Sequence, residues 1–127
     1  MDQGTQHRLM VTSHDNAGIT FVIMKGSLSA TTAEQANKEM KRILDAGAKK
    51  VVLNLAEVDY ISSGGIRVIV LTSKLLNGVQ GEMKLSSAKG VVKEALQASG
   101  FDLLSRVYGG NIQLCNTDEE AVAAFKS

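Results

Sequence analysis

The sequence lacks several residue types that direct a chain towards particular structures. Cys115 is the only cysteine among 127 residues, which excludes an internal disulfide and any cysteine-based metal cluster. Proline and tryptophan are absent, so glycine alone marks the turns. The sequence therefore has to form its core from ordinary apolar packing, and we expect Cys115 to behave as a small buried hydrophobic residue.

The chain also lacks a strong charge bias and any long apolar run. Lysine and arginine total 14 against 13 acidic residues, and no block of like charges stands out. A nucleic-acid-binding protein would show a clustered basic face, so no nucleic-acid partner is expected. The apolar runs fall far short of the roughly 20 residues of a membrane span. The first residues lack a signal-peptide pattern, and together these features predict a cytoplasmic protein without membrane insertion.

Apolar runs alternate between strand-like and helix-like spacing along the chain. Two β-branched runs flank a turn at 14–18 and predict an N-terminal hairpin, with Gly26–Ser29 breaking its second strand. The predicted strands are 9–13, 19–24, 51–55 and 82–86, with a fifth within either 106–108 or 111–115. The predicted helices are about 31–46, 64–76, 91–98 and 119–125, the last capped by Thr117 or Asp118.

This order predicts a single α/β domain over residues 8–127, preceded by a tail at 1–7. Its sheet is mixed but mostly parallel, has about five strands and is packed with four helices. Lys84, in the fourth strand, is predicted to be a solubilising surface charge.

The stretch from Asp59 to Val68 joins a buried strand to an amphipathic helix. Ser62 and Ser63 stand where the helix begins, next to unpaired N–H groups with a partial positive charge. A hydroxyl there can cap the helix, hold an anion nearby or itself become phosphorylated. Gly64 and Gly65 cost a helix up to about 1 kcal/mol each relative to alanine. We interpret them as a surface that the backbone or phosphate of another molecule approaches closely.

Catalysis by this turn lacks the necessary partners. Ser63 has Gly65 two residues after it, but Ile61 stands where a nucleophile elbow needs glycine. The two histidines, His7 and His14, lie in the tail and the first hairpin, and no Walker loop or metal cluster is present. A hydrolase is possible only if a base approaches Ser63 in space. The protein is predicted not to be an enzyme and to need no cofactor of its own.

The segment from Val58 to Val68 resembles the signature of the STAS domain, as found in bacterial anti-sigma factor antagonists. That signature is an apolar strand, Asp-aromatic-Ile-Asp/Ser-Ser, a small residue, Gly-Leu-Arg/Gly-Val, and then a helix. Three other segments are similar to the family in the same order: Gly26–Ser29, Gly81–Leu85 and Leu96–Phe101. The resemblance therefore extends along nearly the whole chain.

The resemblance implies a partner-switching mechanism. In that family, the serine matching Ser63 is phosphorylated by a partner that is both a serine kinase and an anti-sigma factor; ATP belongs to that kinase. The unphosphorylated antagonist binds this partner and releases the sigma factor. The phosphorylated antagonist does not bind, and a separate serine phosphatase restores the unphosphorylated form. The partner-binding residues are then expected to be Ser29, Thr31, Ser62, Ser63, Gly64, Gly65 and Arg67.

The chain departs from the family pattern at Ser29 and Ser62, where aspartate is common. Ser62 is therefore the alternative acceptor to Ser63. The rival interpretation is a STAS module that binds a partner constitutively, as in transporter-linked or scaffold assemblies, with both serines serving only as caps.

Overall fold

Five strands form one mixed sheet in the computed structural model, which describes residues 8–107 and 112–125. The strands, in chain order and in their order across the sheet, are β1 (Leu9–Asn16), β2 (Ile19–Leu28), β3 (Lys50–Ile61), β4 (Glu82–Ser86) and β5 (Gln113–Cys115). β1 pairs with β2 antiparallel, and all other neighbours pair parallel. The predicted hairpin and mostly parallel sheet are confirmed. The predicted tail at 1–7 lies outside the described residues.

The described helices are α1 (Ala33–Asp45), α2 (Ser63–Gly78), α3 (Gly90–Ser99), α4 (Phe101–Val107) and α5 (Asp118–Ala124). The sequence predicted four helices and did not identify α4. Gly100 ends α3 in the left-handed conformation, and its carbonyl oxygen then accepts the N–H groups of Leu103 and Leu104. The prediction of a strand at 106–108 is wrong at Arg106 and Val107, which are helical, whereas Tyr108 lies outside the described residues.

β2 and β3 are both longer than the sequence indicated. β2 continues through Gly26 to Leu28, and β3 runs to Ile61 rather than ending at Leu55. Two irregularities in the β2–β3 pairing, each with one extra residue in β3, displace the alternation of side chains. The buried residues of β3 consequently fall three apart, at Leu55, Val58 and Ile61, instead of two apart.

The sheet is covered on both faces. Val51 and Leu53 belong to a large apolar cluster with residues of α1, α2, α3 and α4, whereas Val52 belongs to a smaller cluster with Cys115 and residues of α5. Alternate residues of a strand point to opposite faces, so α5 lies across the sheet from the other helices. Cys115 is buried, as predicted.

Lys84 is buried beneath α5 rather than exposed, in contrast to the prediction. Its ammonium lies 3.2 Å from a Glu82 carboxylate oxygen and 5.5 Å from the centre of the Phe125 ring. These two interactions compensate the charge that α5 covers.

Candidate functional site

The serine turn lies at the edge of the sheet where the parallel strands end. β3 ends at Ile61, Ser62 is extended as the N-cap residue, and α2 begins at Ser63. The Ser62 N–H donates to the Leu28 carbonyl oxygen at 3.1 Å, so the start of α2 is hydrogen-bonded to the end of β2. The turn and the β2–α1 loop therefore lie side by side, so predicted partner-binding residues from both segments are close together.

Gly64 and Gly65 are needed for contacts within the chain. A Cβ on Gly64 would lie 2.9 Å from both Cα and N of Ala30, and a Cβ on Gly65 would lie 2.7 Å from the Leu28 carbonyl carbon. Both distances are shorter than any normal carbon contact. Gly65 is buried and Gly64 is half-buried. The β2–α1 loop already occupies the space beside both glycines. The interpretation that these positions are glycine mainly to admit another molecule is therefore wrong.

The two serines differ in exposure. Ser63 is exposed, whereas Ser62 is half-buried and its Oγ is buried without a hydrogen-bond partner among the described residues. The Ser62 side chain makes no capping hydrogen bond to α2. The capping use considered for Ser62 is thus not observed, and the accessible hydroxyl at the start of α2 is that of Ser63.

Thr32 holds the β2–α1 loop in shape. Its Oγ1 accepts the Ser29 N–H at 3.0 Å and donates to the Ser27 carbonyl oxygen at 2.8 Å. Ser29 is only 7% exposed, whereas Thr31 is exposed. Of the residues predicted to bind a partner, Ser29 and Gly65 therefore lie beneath the surface, and Thr31 lies on it. The sequence alone placed position 32 at the start of the helix predicted at about 31–46 and indicated no role for Thr32 in the loop.

A groove of about 470 Å³ runs between α2 and α4, beginning at the serine turn. Ser63, Gly64 and Arg67 line its polar end, and its remaining lining is mostly apolar: Ile66, Val70, Leu71, Ser99 and Leu104. Arg67 is exposed, and it carries the only charge among these described lining residues. The sequence alone did not indicate Leu104, because α4 was not predicted.

No described histidine reaches Ser63. His14 stacks on Phe21 with ring centres 5.3 Å apart, and both line a pocket with Asp118 and Val122 of α5. That pocket lies on the face of the sheet opposite α2, and His7 is outside the described residues. Within residues 8–107 and 112–125, no group of three metal-ligating side chains is present either. Among the described residues, no histidine is therefore placed to act as a base for Ser63.

A second polar cluster, which sequence reasoning missed, anchors α5 to the sheet. The Asp118 carboxylate accepts hydrogen bonds from Asn54 Nδ2, at 3.0 and 3.2 Å, and from Ser86 Oγ. Ser86 is fully buried. The three residues are 32 and 64 positions apart, so no local motif indicates them.

No helix in the described part of the chain is both long and apolar enough to cross a membrane.

Comparisons with known proteins agree on one family. The sequence model of the STAS domain matches residues 9–121. BtrV of Bordetella bronchiseptica, named as a candidate anti-sigma factor antagonist, is 38% identical over 110 residues, covering 87% of this chain and 89% of that protein.

Two solved structures share the fold at low sequence identity. A candidate anti-sigma factor antagonist of Thermotoga maritima superposes with a TM-score of 0.79 at 20% identity, covering 92% of this chain and 95% of that one. The murine anion transporter Slc26a9 gives a TM-score of 0.75 at 13% identity, covering 95% of this chain but only 23% of the transporter. With its sequence match over most of the chain and the fold of these structures, the protein belongs to the STAS domain family.

Proposed function

We propose that this STAS domain is an anti-sigma factor antagonist whose binding to an anti-sigma factor with serine-kinase activity is prevented by phosphorylation of Ser63. The observation that carries the proposal is the exposure of Ser63 at the start of α2, at the polar end of the α2–α4 groove. The similarity to BtrV supports the antagonist role. With these partners the protein acts in the cytoplasm and uses no cofactor of its own. A serine phosphatase returns it to the unphosphorylated form.

The exposure of the two hydroxyls favours Ser63 over Ser62 as the acceptor. A kinase has to bring the γ-phosphate of ATP in line with the attacking oxygen. Ser63 is open to such an approach, whereas Ser62 Oγ is buried at the junction of β3 and α2. Phosphorylation of Ser62 would require the turn to open first.

The position of Ser63 explains how one phosphate could spare the fold and abolish a complex. A phosphoserine carries about −1.5 to −2 charges at neutral pH. Next to the N-terminus of α2 that charge is stabilising, by about 0.3–1 kcal/mol. Buried in an interface without a cation to pair with, the same charge costs about 3–5 kcal/mol. We therefore expect phosphorylation to leave the domain folded while weakening its complex.

The main alternative is a STAS module that binds its partner constitutively. The shared fold with a transporter's STAS region makes this alternative concrete, although that similarity concerns the fold alone. In the constitutive module the two serines would serve only as helix caps, but Ser62 makes no capping hydrogen bond. The absence of that bond favours the regulated antagonist.

The intact mass of the protein tests the proposal. The protein is incubated with ATP and, in turn, with each anti-sigma factor kinase of the source organism. With one of these kinases we expect a gain of about 80 Da, the mass of one phosphoryl group. The gain should be lost in Ser63→Ala and retained in Ser62→Ala. If an active anti-sigma factor kinase binds the protein but adds no phosphate, the constitutive module is correct. A gain lost only in Ser62→Ala would reassign the acceptor.

A further inference from the structure

Ser63 and Arg67 lie on the same face of α2. They are four residues apart, and side chains at this spacing are neighbours on a helix, with Cβ atoms about 5–6 Å apart. Both line the α2–α4 groove. Within the described residues, Arg67 is exposed and has no hydrogen bond or ion pair. The guanidinium is therefore available to a group placed on Ser63.

We propose that a phosphate on Ser63 pairs with Arg67 of the same molecule, and that this pairing withdraws Arg67 from the partner protein. The inference rests on the proposed function, because it concerns the phosphorylated form of Ser63. A guanidinium offers a planar pair of donors that matches two phosphate oxygens, so the pair can be bidentate. The phosphate is on the first residue of α2, and Arg67 reaches back to it from the next turn.

The groove indicates what Arg67 contacts before phosphorylation. Ile66, Val70, Leu71 and Leu104 give it an apolar lining beside the exposed Ser63 and Arg67. In the unphosphorylated protein, the same lining suits a segment of the kinase that carries apolar side chains next to a carboxylate. Arg67 binds that carboxylate in one state and the phosphate in the other.

Phosphorylation then weakens the complex in two ways. The phosphate repels the partner's carboxylate, and it also neutralises the cation that had attracted that carboxylate. Arg67 thus positions the phosphate in the phosphorylated protein and binds the partner in the unphosphorylated one.

The pairing can be tested without the kinase. Phosphoserine is installed at position 63 by genetic-code expansion, and the second ionisation of the phosphate is followed by ³¹P NMR. A neighbouring cation stabilises the dianion and lowers its pKa. We expect the phosphate pKa to be lower with Arg67 than in Arg67→Gln by about 0.3 units or more, the equivalent of a helix-surface ion pair. Arg67→Lys should retain much of the shift.

Lys50→Gln is the matched control. Lys50 is exposed at the first residue of β3, at the opposite end of the strand from Ser63, and its loss changes the net charge equally. It should leave the phosphate pKa unchanged. Equal phosphate pKa values in the protein that retains Arg67 and in the Arg67→Gln variant would overturn the pairing.

A binding measurement tests the partner side of the proposal. Unphosphorylated Arg67→Gln should bind the kinase identified by the mass assay about tenfold more weakly than Lys50→Gln does, which corresponds to one charge-assisted hydrogen bond. Equal binding would overturn the role of Arg67 towards the partner. The NMR experiment needs no kinase, so a failure of the proposed function appears separately, as a missing mass gain.

Discussion

A Cβ on Gly65 would lie only 2.7 Å from the carbonyl carbon of Leu28, where α2 meets the end of β2. The same carbonyl oxygen accepts the N–H of Ser62 at 3.1 Å. The backbone of β2 therefore fixes the start of α2 by a hydrogen bond and by a contact that permits no side chain. The exposed position of Ser63 between Ser62 and Gly65 is a consequence of this close approach.

Substitution of Gly65 by alanine should destabilise the protein strongly. The new Cβ meets backbone atoms of Leu28, which cannot rotate away, so we expect a loss of about 3 kcal/mol in the free energy of unfolding. Gly78→Ala is the control within the same helix, because nothing lies within 4 Å of its Cβ position. It should change stability by no more than about 1 kcal/mol, in the stabilising direction. Urea unfolding compares the two, and similar effects would show that α2 can shift away from Leu28.

Ser62→Ala should cost little or slightly stabilise the protein. The Ser62 hydroxyl is buried without a hydrogen bond among the described residues, so its removal relieves an unpaired polar group. Thr117→Ala is the contrasting variant, because Thr117 Oγ1 accepts the Glu120 N–H at 3.1 Å and caps α5. Loss of that cap should cost about 1 kcal/mol. Thermal unfolding of both variants measures the difference, and an equal loss would mean that Ser62 also caps its helix.

Asp118→Ala should destabilise the packing of α5 on the sheet. It leaves the fully buried Ser86 hydroxyl and the Asn54 amide without their acceptor. An unsatisfied buried group costs about 1–3 kcal/mol, and we expect a total loss of about 2–3 kcal/mol. Glu119→Ala removes an exposed carboxylate from the same helical turn and should have almost no effect on urea unfolding. If Asp118→Ala and Glu119→Ala had equally small effects, the hydrogen bonds of Asp118 would contribute no more to stability than an exposed surface contact does.

Burial raises the pKa of the Cys115 thiol, and the nearby Glu120 carboxylate raises it further, whereas Lys84 acts in the opposite direction. The unfolded chain loses this proton near pH 8.5, roughly the ordinary thiol value, before the folded protein does. The contribution of Cys115 to stability is therefore complete below that pH and declines as the pH rises above it. A thiol-reactive disulfide reagent at about pH 8 should react much more slowly with the native protein than with the protein in guanidinium. Equal rates would contradict the burial of Cys115.

The sequence predicted the features that depend on neighbouring residues. The alternation of strands and helices, the hairpin and a cap at Thr117 or Asp118 all follow from local patterns, and the Ser62–Gly65 segment correctly located the start of α2. The features that were missed depend on residues far apart in the chain. Position 65 must be glycine because Leu28 lies against it, and Lys84 is buried because α5 covers it. Asp118 accepts hydrogen bonds from both Asn54 and Ser86.

The groove beside Ser63 was missed for a related reason. Leu104 belongs to a short helix that begins immediately after Gly100, and a glycine there indicates only the end of α3. The sequence thus identified Ser63 and Arg67 without the apolar surface next to them. That surface depends on how α4 packs against α2, which no local pattern records.

The affinity of the unphosphorylated and Ser63-phosphorylated proteins for the same anti-sigma factor kinase tests the central claim most directly. We predict that the two forms melt within a few degrees of each other, because the phosphate is next to the N-terminus of α2. We also predict that phosphorylation raises the Kd by about a hundredfold or more, as expected for a charge of this size in an interface. Equal Kd values for two folded forms would contradict the account.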